Sequence, residues 1–229
     1  MKKIVIVNQS SNYLMSDIAR AYKECSQYED VVVMCGNPQS LQFTGEEQIK
    51  IEKIKPYDKK SIITRFLSWV IGTIQIAHKV RTRYHDYELL LVSNPPTIQF
   101  LSYLSSNKYS TLVYDVYPDG IVSGGFVTEK NLIFKLWVHV AKKFYKGADY
   151  IYAISDGIAK KVSRYCNLER IEVIPLWSNK QIRRVEKAEN LFVRKYGLED
   201  KFIVLYSGNI GKGSNIKVLV DLARAMKAN

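Results

Sequence analysis

The chain has 229 residues, 47% of them hydrophobic and 24% charged, a composition that excludes a disordered chain and supplies enough apolar side chains for a folded core. Its 34 lysine and arginine residues exceed its 22 aspartate and glutamate residues, and the net charge of +12 favours anionic partners. The aromatic pairs, zinc-finger spacings and continuous basic arms of nucleic-acid-binding proteins are missing from the sequence, so nucleic acid is not an expected partner.

The first half of the chain alternates apolar runs with amphipathic stretches. The opening MKKIVIVNQSSN has too short an apolar run for a signal peptide, which favours a cytoplasmic protein whose first strand is buried on both faces. The predicted elements are, in chain order, a strand over 4–7, a helix over 16–28, a strand over 31–34, a short half-exposed strand within 49–54 and a long helix over 61–84.

The long helix over 61–84 is the most hydrophobic segment of the chain. Arg65 and His78 bracket at most a dozen uncharged residues, fewer than the ~20 that a membrane-spanning helix needs. The periodic apolar residues of this helix predict packing against a sheet. An interfacial helix, with Trp69 at the surface and basic residues near lipid headgroups, is the alternative.

The second half continues the alternation of strands and helices. The predicted elements are a strand over 89–92 ended by two prolines, a helix capped by Thr97, a strand over 111–116, a helix over 128–146, a strand over 150–154, a helix from Ser155 to Tyr165 and a strand over 171–174. Strands separated by helices in this way predict an α/β protein with a Rossmann-like, doubly wound parallel sheet.

Polar loops follow several of the predicted strands. They cover residues 8–12, 93–97, 115–125 and 155–157. In a doubly wound sheet the carboxyl ends of the strands lie at one edge, and ligands bind there. We therefore expect these loops to form the wall of one cleft.

A glycine-rich motif lies near the end of the chain. Phe202 to Tyr206 is a predicted strand, residues 207–213 read SGNIGKG, and Ser214 or Asn215 caps a last helix. Glycines allow the main chain to approach a phosphate, and the amides at a helix start attract it. The spacing fits neither a Walker loop nor a dinucleotide fingerprint, so a phosphate site and a simple strand-to-helix turn both remain open.

Four motifs follow one another along the chain: YDVYPDG, ISDGIAKKV, IEVIPLWSN and FIVLYSGNIG. In their order and spacing, the chain resembles the retaining, family-four glycosyltransferases of the GT-B fold, which consist of two facing Rossmann-like domains. It is similar to bacterial members that build surface polysaccharide or lipid-linked oligosaccharide. Two features depart from the pattern: Asn8, Gln9 and Ser10 replace common glycines in the first loop, and Tyr114 replaces a common histidine.

The resemblance implies the domain boundaries. Residues 1–179 would form an acceptor-side Rossmann-like domain, and residues 180–201 an interdomain linker with a leading helix. Residues 202–229 would form the first strand–helix unit of an incomplete nucleotide-sugar-binding domain. The remaining donor-binding residues would then lie beyond Asn229, as in a shortened chain or a short natural product.

The resemblance also implies functional residues. Asp115 and Asp119 would be catalytic, binding sugar hydroxyls and stabilising positive charge at the anomeric carbon, although a strand-end cap is an alternative role for Asp115. Residues predicted to bind the donor phosphates are Ser207, Gly208, Asn209, Gly211 and Lys212. Residues of the polar loops predicted to bind the acceptor are Asn8, Gln9, Ser10 and Asn94.

The implied reaction transfers a sugar from a nucleotide diphosphate sugar to a lipid-linked or polysaccharide acceptor, with retention and without a cofactor. Neither the resemblance nor the widely spaced cysteines indicate a metal site. The isolated chain is expected to be inactive, to associate with an anionic inner membrane surface, and to form a homodimer through its C-terminal fragment. The alternative is a non-catalytic membrane-docking module that partners a separate donor-binding subunit.

Overall fold

The computed structural model describes residues 1–123, 125, 128–177, 183–208, 210 and 215–227. The chain divides into two compact units, Met1–Trp177 and Ser178–Asn229. The first unit contains a parallel sheet with helices on both faces. The second contains short helices and the glycine-rich motif.

The sheet of the first unit has seven parallel strands in the order β3-β2-β1-β4-β5-β6-β7. Their bounds are β1 Lys2–Asn8, β2 Tyr28–Cys35, β3 Lys50–Lys53, β4 Glu88–Val92, β5 Tyr109–Val113, β6 Ile151–Ala153 and β7 Ile171–Val173. The strand order reverses direction between β1 and β4, as in doubly wound folds. The structure therefore confirms the predicted Rossmann-like fold class.

Six α-helices lie in the described part of the first unit: α1 Tyr13–Glu24, α2 Ile62–Thr82, α3 Leu101–Leu104, α4 Asp119–Ser123, α5 Leu132–Gly147 and α6 Asp156–Val162. Single 3₁₀ turns cover Pro38–Ser40, Pro96–Phe100 and Leu168–Arg170. The second unit adds a 3₁₀ turn at Lys187–Glu189 and the helices α7 Leu191–Tyr196 and α8 Lys217–Lys227.

Alternate side chains of β1 pack against the two layers of helices, one on each face of the sheet. Val5 and Val7 pack into the cluster formed with α2, α3, α5 and α6, whereas Ile4 and Ile6 pack into the cluster formed with α1. All four side chains are buried. A strand covered on both faces has no solvent-facing side, which explains why its sequence is continuously apolar.

Several predicted boundaries are wrong. The first helix ends at Glu24, because Tyr28 begins β2 and pairs with β1. β5 ends at Val113, since the amides of Tyr114 and Asp115 donate to the side chain of Ser93 instead of a neighbouring strand. Thr97 does not cap a helix; it lies inside a 3₁₀ turn, where its hydroxyl donates to the main chain of α2.

The predicted strand at Phe202 to Tyr206 is also wrong. These residues are described but have no strand assignment, and Phe202 is 89% exposed. A strand requires a neighbouring strand to receive its main-chain hydrogen bonds. No strand is described within 183–208, 210 and 215–227, so these ranges offer no strand for it to pair with.

The prediction that the long helix packs against the sheet is confirmed for one face of the helix. Ile76, Ala77 and Val80 are buried in the core. Six large apolar side chains on the rest of the helix are exposed: Ile62, Ile63, Phe66, Leu67, Ile71 and Ile74. The helix begins with a capping box between Ser61 and Thr64. None of the described helices is long and apolar enough to cross a membrane.

Candidate functional site

The carboxyl-terminal edge of the sheet brings the predicted loops together. The amide of Gln9, after β1, donates to the carbonyl of Asn94, after β4, at 2.8 Å. The hydroxyl of Ser93 accepts hydrogen bonds from the amides of Tyr114 and Asp115, after β5, at 3.0 and 3.1 Å. These bonds fix three strand ends at the position where the strand order reverses, which is where ligands bind in doubly wound sheets.

The residues predicted to bind the acceptor lie at this edge, but some of their polar atoms are already engaged. Asn8 is buried, and its Oδ1 accepts from the amide of Ser10 at 3.0 Å. The Nε2 of Gln9 donates to two main-chain carbonyls at 2.8 Å, which holds β1 against α2. The Oδ1 of Asn94 and the Oε1 of Gln9 are buried without a hydrogen-bond partner within the described residues. Binding by these four residues remains a prediction.

Asp115 follows β5 and is exposed. Protein atoms around its carboxyl group remove enough water to raise its pKa above the usual value, while Lys161 acts in the opposite direction. The amide of Asp115 donates to the hydroxyl of Ser93, and its carboxylate accepts no hydrogen bond within the described residues. The carboxylate is therefore free to accept hydrogen bonds from a ligand.

Asp119 is placed differently. It is the first residue of α4, and its Oδ1 accepts from Arg164 at 2.5 Å while its Oδ2 accepts from the hydroxyl of Tyr165 at 2.7 Å. This carboxylate is only 14% exposed. Both oxygens have protein donors, so the observed contacts favour a role in attaching α4 to the segment after α6. Its catalytic role remains a prediction.

Sequence reasoning did not detect an aromatic cluster beside Asp115. Tyr57 and Trp69 stack with ring centroids 6.0 Å apart, and Tyr117 meets Trp69 edge-on at 6.4 Å. Burial raises the pKa of both tyrosines, and the charge of Asp115 acts in the same direction, although Arg65 opposes it at Tyr57. The three aromatic residues come from separate loops and one helix, so no local pattern in the sequence indicates that they meet.

The predicted phosphate-binding residues belong to the second unit. Ser207 and Gly208 are described and exposed, whereas Asn209, Gly211 and Lys212 lie outside the described residues. A Cβ atom at position 208 would lie 3.2 Å from the hydroxyl oxygen of Tyr206. The role of this motif in donor binding remains a prediction.

Comparisons with known proteins identify proteins of similar sequence and similar fold. No protein-family model matches the chain. A probable glycosyltransferase of Pseudomonas aeruginosa, WbjE, is 21% identical over 177 residues, which cover 74% of this chain and 44% of that protein. The crystal structure of Anabaena Alr3699/HepE in complex with UDP and glucose superposes with a TM-score of 0.61 at 16% identity, covering 98% of this chain and 58% of that one.

The fold is that of GT-B-like glycosyltransferases. The sequence match adds a similarity to one probable glycosyltransferase. The chain spans about half the length of the proteins that it matches. A UDP-bound transferase from Siraitia grosvenorii superposes with a TM-score of 0.46 at 8% identity over 82% of this chain and 53% of that one, too weakly to support an argument.

Proposed function

We propose that the chain contains the acceptor-side domain of a glycosyltransferase. The enzyme would transfer a sugar, with retention, from a nucleotide diphosphate sugar to a lipid-linked or polysaccharide acceptor. The observation that carries this proposal is the free carboxylate of Asp115 at the carboxyl-terminal edge of a GT-B-like sheet, where three loops are fixed to one another. Similarity to a probable glycosyltransferase supports the same assignment.

Within this proposal, Asp115 binds hydroxyl groups of the reacting sugars and stabilises the positive charge that develops at the anomeric carbon. A carboxylate is suited to both tasks because it accepts hydrogen bonds and carries a negative charge. The partial desolvation that raises its pKa also strengthens its interaction with a nearby positive charge.

Residues 202–229 would begin the nucleotide-sugar-binding domain, with the SGNIGKG motif facing the phosphates of the donor. Exposed apolar residues of this fragment would require further structure to cover them. As a finer part of the proposal, residues 1–229 by themselves would bind UDP-sugars or GDP-sugars no tighter than about millimolar, on the order of −4 kcal/mol, and would be inactive. Micromolar donor binding in calorimetry would contradict this part of the proposal.

A specific observation also favours peripheral binding to the inner face of the cell membrane. Helices α2, α3 and α5 contact each other directly or through the 3₁₀ turn Pro96–Phe100, on one side of the sheet. Their exposed apolar side chains are Ile62, Ile63, Phe66, Leu67, Ile71, Ile74, Tyr103, Leu104, Leu132, Ile133 and Leu136. Exposed apolar patches of this kind are typical of interaction surfaces, and lysines on α5 would attract anionic headgroups.

Vesicle flotation tests the membrane surface. The chain should float with vesicles of anionic lipid, and salt should weaken this binding because it screens the basic residues. Phe66→Ser should reduce flotation, whereas Leu168→Ser, which replaces an exposed apolar residue outside these helices, should not. Equal flotation with neutral and anionic vesicles would contradict the charge argument. If the chain floats with vesicles but has no transferase function in cells, the result would favour the alternative, which is a docking module that serves a separate donor-binding subunit.

A deletion strain of the source organism tests the transferase function. Loss of a surface or lipid-linked glycan should be restored by the wild-type gene but not by the Asp115→Asn allele. Asp149→Asn is the matched control, because Asp149 is also exposed but precedes β6 at the opposite edge of the sheet. Full restoration by Asp115→Asn would overturn the catalytic assignment.

A further inference from the structure

A buried glutamine connects the loop that carries Asp115 to a helix on one face of the sheet. Gln99 lies in the 3₁₀ turn Pro96–Phe100 and is 4% exposed. Its Nε2 donates to the carbonyl of Tyr117, two residues after Asp115, at 3.2 Å, and its Oε1 accepts from the Nε1 of Trp137 on α5 at 2.9 Å. One side chain thereby joins the segment after β4, the segment after β5 and a core helix.

The two partners of Gln99 fix the orientation of its amide group. An indole N–H can only donate a hydrogen bond, and a main-chain carbonyl can only accept one. The Oε1 must therefore face Trp137 and the Nε2 must face Tyr117, because the flipped amide would form neither bond. Glutamate accepts only when it is ionised, and methionine is at most a weak acceptor, so neither side chain could replace both bonds.

The turn that carries Gln99 is itself attached to α2. The hydroxyl of Thr97 donates to the carbonyl of Trp69 at 3.0 Å, and its oxygen lies 2.7 Å from the hydroxyl of Thr73. Both threonines are buried. Buried hydrogen bonds that are fully satisfied keep a segment in one conformation, so the side chain of Gln99 extends from a fixed base.

The loop between β5 and α4 depends on Gln99 at its centre. The carbonyls of Val116 and Pro118 accept from amides of α4, at 2.8 and 3.0 Å. Within the part of the chain that the structure describes, the carbonyl of Tyr117 between them accepts only from Gln99. Without this bond a partly buried carbonyl would lack a donor, and the loop would have to move toward water to satisfy it. Asp115 would move with the loop.

We propose that Gln99 is a positioning residue of the transferase site, which holds Tyr117 and thereby sets the place of the Asp115 carboxylate. Gln99 acts through the loop and does not itself contact the sugars. The consequence for sugar transfer rests on the proposed function of Asp115, whereas the hydrogen bonds that hold the loop do not. A fixed position matters because a misplacement of about 1 Å at a reacting group can cost on the order of 100-fold in rate.

A carbon-13 NMR titration of the full chain tests the position of the loop. The pKa of Asp115 reports its hydration, because surrounding protein atoms raise this pKa while Lys161 lowers it. Gln99→Met keeps a side chain of similar length but removes both hydrogen bonds, so the pKa of Asp115 should fall toward the ordinary value of an aspartate. Asn107→Leu is the matched control, because the Nδ2 of Asn107 also donates to two main-chain carbonyls, both at 2.7 Å, but lies before β5 at the opposite edge of the sheet. It should leave the pKa of Asp115 unchanged.

The deletion strain tests the consequence for transfer. The Gln99→Met allele should reduce the restored glycan by on the order of tenfold or more, whereas the Asn107→Leu allele should restore it as the wild-type gene does. Urea unfolding of both variants shows whether they lose similar stability, in which case stability does not explain the difference. If Gln99→Met does not fold, Trp137→Phe provides the test, because it removes the indole donor and leaves the bond from Gln99 to Tyr117. It should shift the pKa of Asp115 in the same direction by less.

The proposal is overturned if Gln99→Met leaves either the pKa of Asp115 or the restored glycan unchanged, or if Asn107→Leu has the same effects. If it falls while Asp115→Asn still fails in the deletion strain, the transferase function stands and only the positioning role is lost. If Asp115→Asn restores the glycan fully, the proposed function falls instead, and a lowered pKa of Asp115 in Gln99→Met would still show that Gln99 holds the loop.

Discussion

Gly72 on α2 provides a sharp test of how β1 is attached to its neighbouring helix. A Cβ atom at this position would lie 2.7 Å from the Nε2 of Gln9. That nitrogen donates to the carbonyls of Lys55 and Ser68, both at 2.8 Å. Gly72→Ala must therefore displace a buried amide that is held by two hydrogen bonds.

The expected loss of stability follows from three contributions. The two hydrogen bonds contribute about 1 kcal/mol each. Overpacking in a buried position costs about 1–3 kcal/mol, and alanine regains about 1 kcal/mol because glycine is a poor helix former. We expect Gly72→Ala to lower the free energy of unfolding by about 2–4 kcal/mol.

Urea unfolding followed by circular dichroism measures this change as a lower midpoint at an unchanged slope. In a Gln9→Ala background the obstructing amide is gone, so the same glycine substitution should cost little or be stabilising. Gly157→Ala is the control, because a Cβ there meets no atom closer than 3.9 Å and stability should not fall. An equal loss in the presence and absence of Gln9, or a gain in the wild-type background, would refute this reasoning.

Three further predictions concern the ion pair, the tyrosines and the C-terminal fragment. Asp119→Asn should lower the free energy of unfolding in urea by about 1 kcal/mol, because it weakens the charge-assisted hydrogen bond from Arg164. Glu129→Gln, which removes an exposed ion pair with the same arginine, should have no effect. Burial raises the pKa of three tyrosines to about 12: Tyr22, Tyr84 and Tyr114. The unfolded state therefore loses these protons first, and urea unfolding should show that stability falls as the pH rises from about 10 toward 12. The exposed apolar residues at 202–205 should promote self-association in light scattering of the full chain but not of a chain ending at residue 179, and two monomers at high concentration would contradict this expectation.

The sequence alone was sufficient for the fold class. A strand buried on both faces must be apolar throughout, and the run from Ile4 to Val7 shows this directly. The helix cap at Ser155 was also predictable, because its side chain bonds to the amide of Ile158 three residues later. These features depend on neighbouring residues in the chain or on a strict period, so they can be read from the sequence.

Tertiary contacts decided the composition of the candidate site. Nothing near Asp119 in the sequence indicates that Arg164 and Tyr165 occupy its carboxylate, since they are more than forty residues away. Likewise, a helical period identifies the apolar side of α2 but not how far the sheet extends beneath it, and only the structure shows that Ile62 and Phe66 are exposed.

The sequence by itself therefore determined the strand–helix alternation and the edge at which the polar loops meet, because local hydrophobic period and turn chemistry control both. The tertiary structure decided which polar atoms at that edge are free. It left the carboxylate of Asp115 available, engaged the Nε2 of Gln9, and brought Tyr57, Trp69 and Tyr117 together. The burial of a side chain and the hydrogen bonding of a polar atom depend on contacts between segments that are distant in the sequence, and these contacts form only when the chain folds.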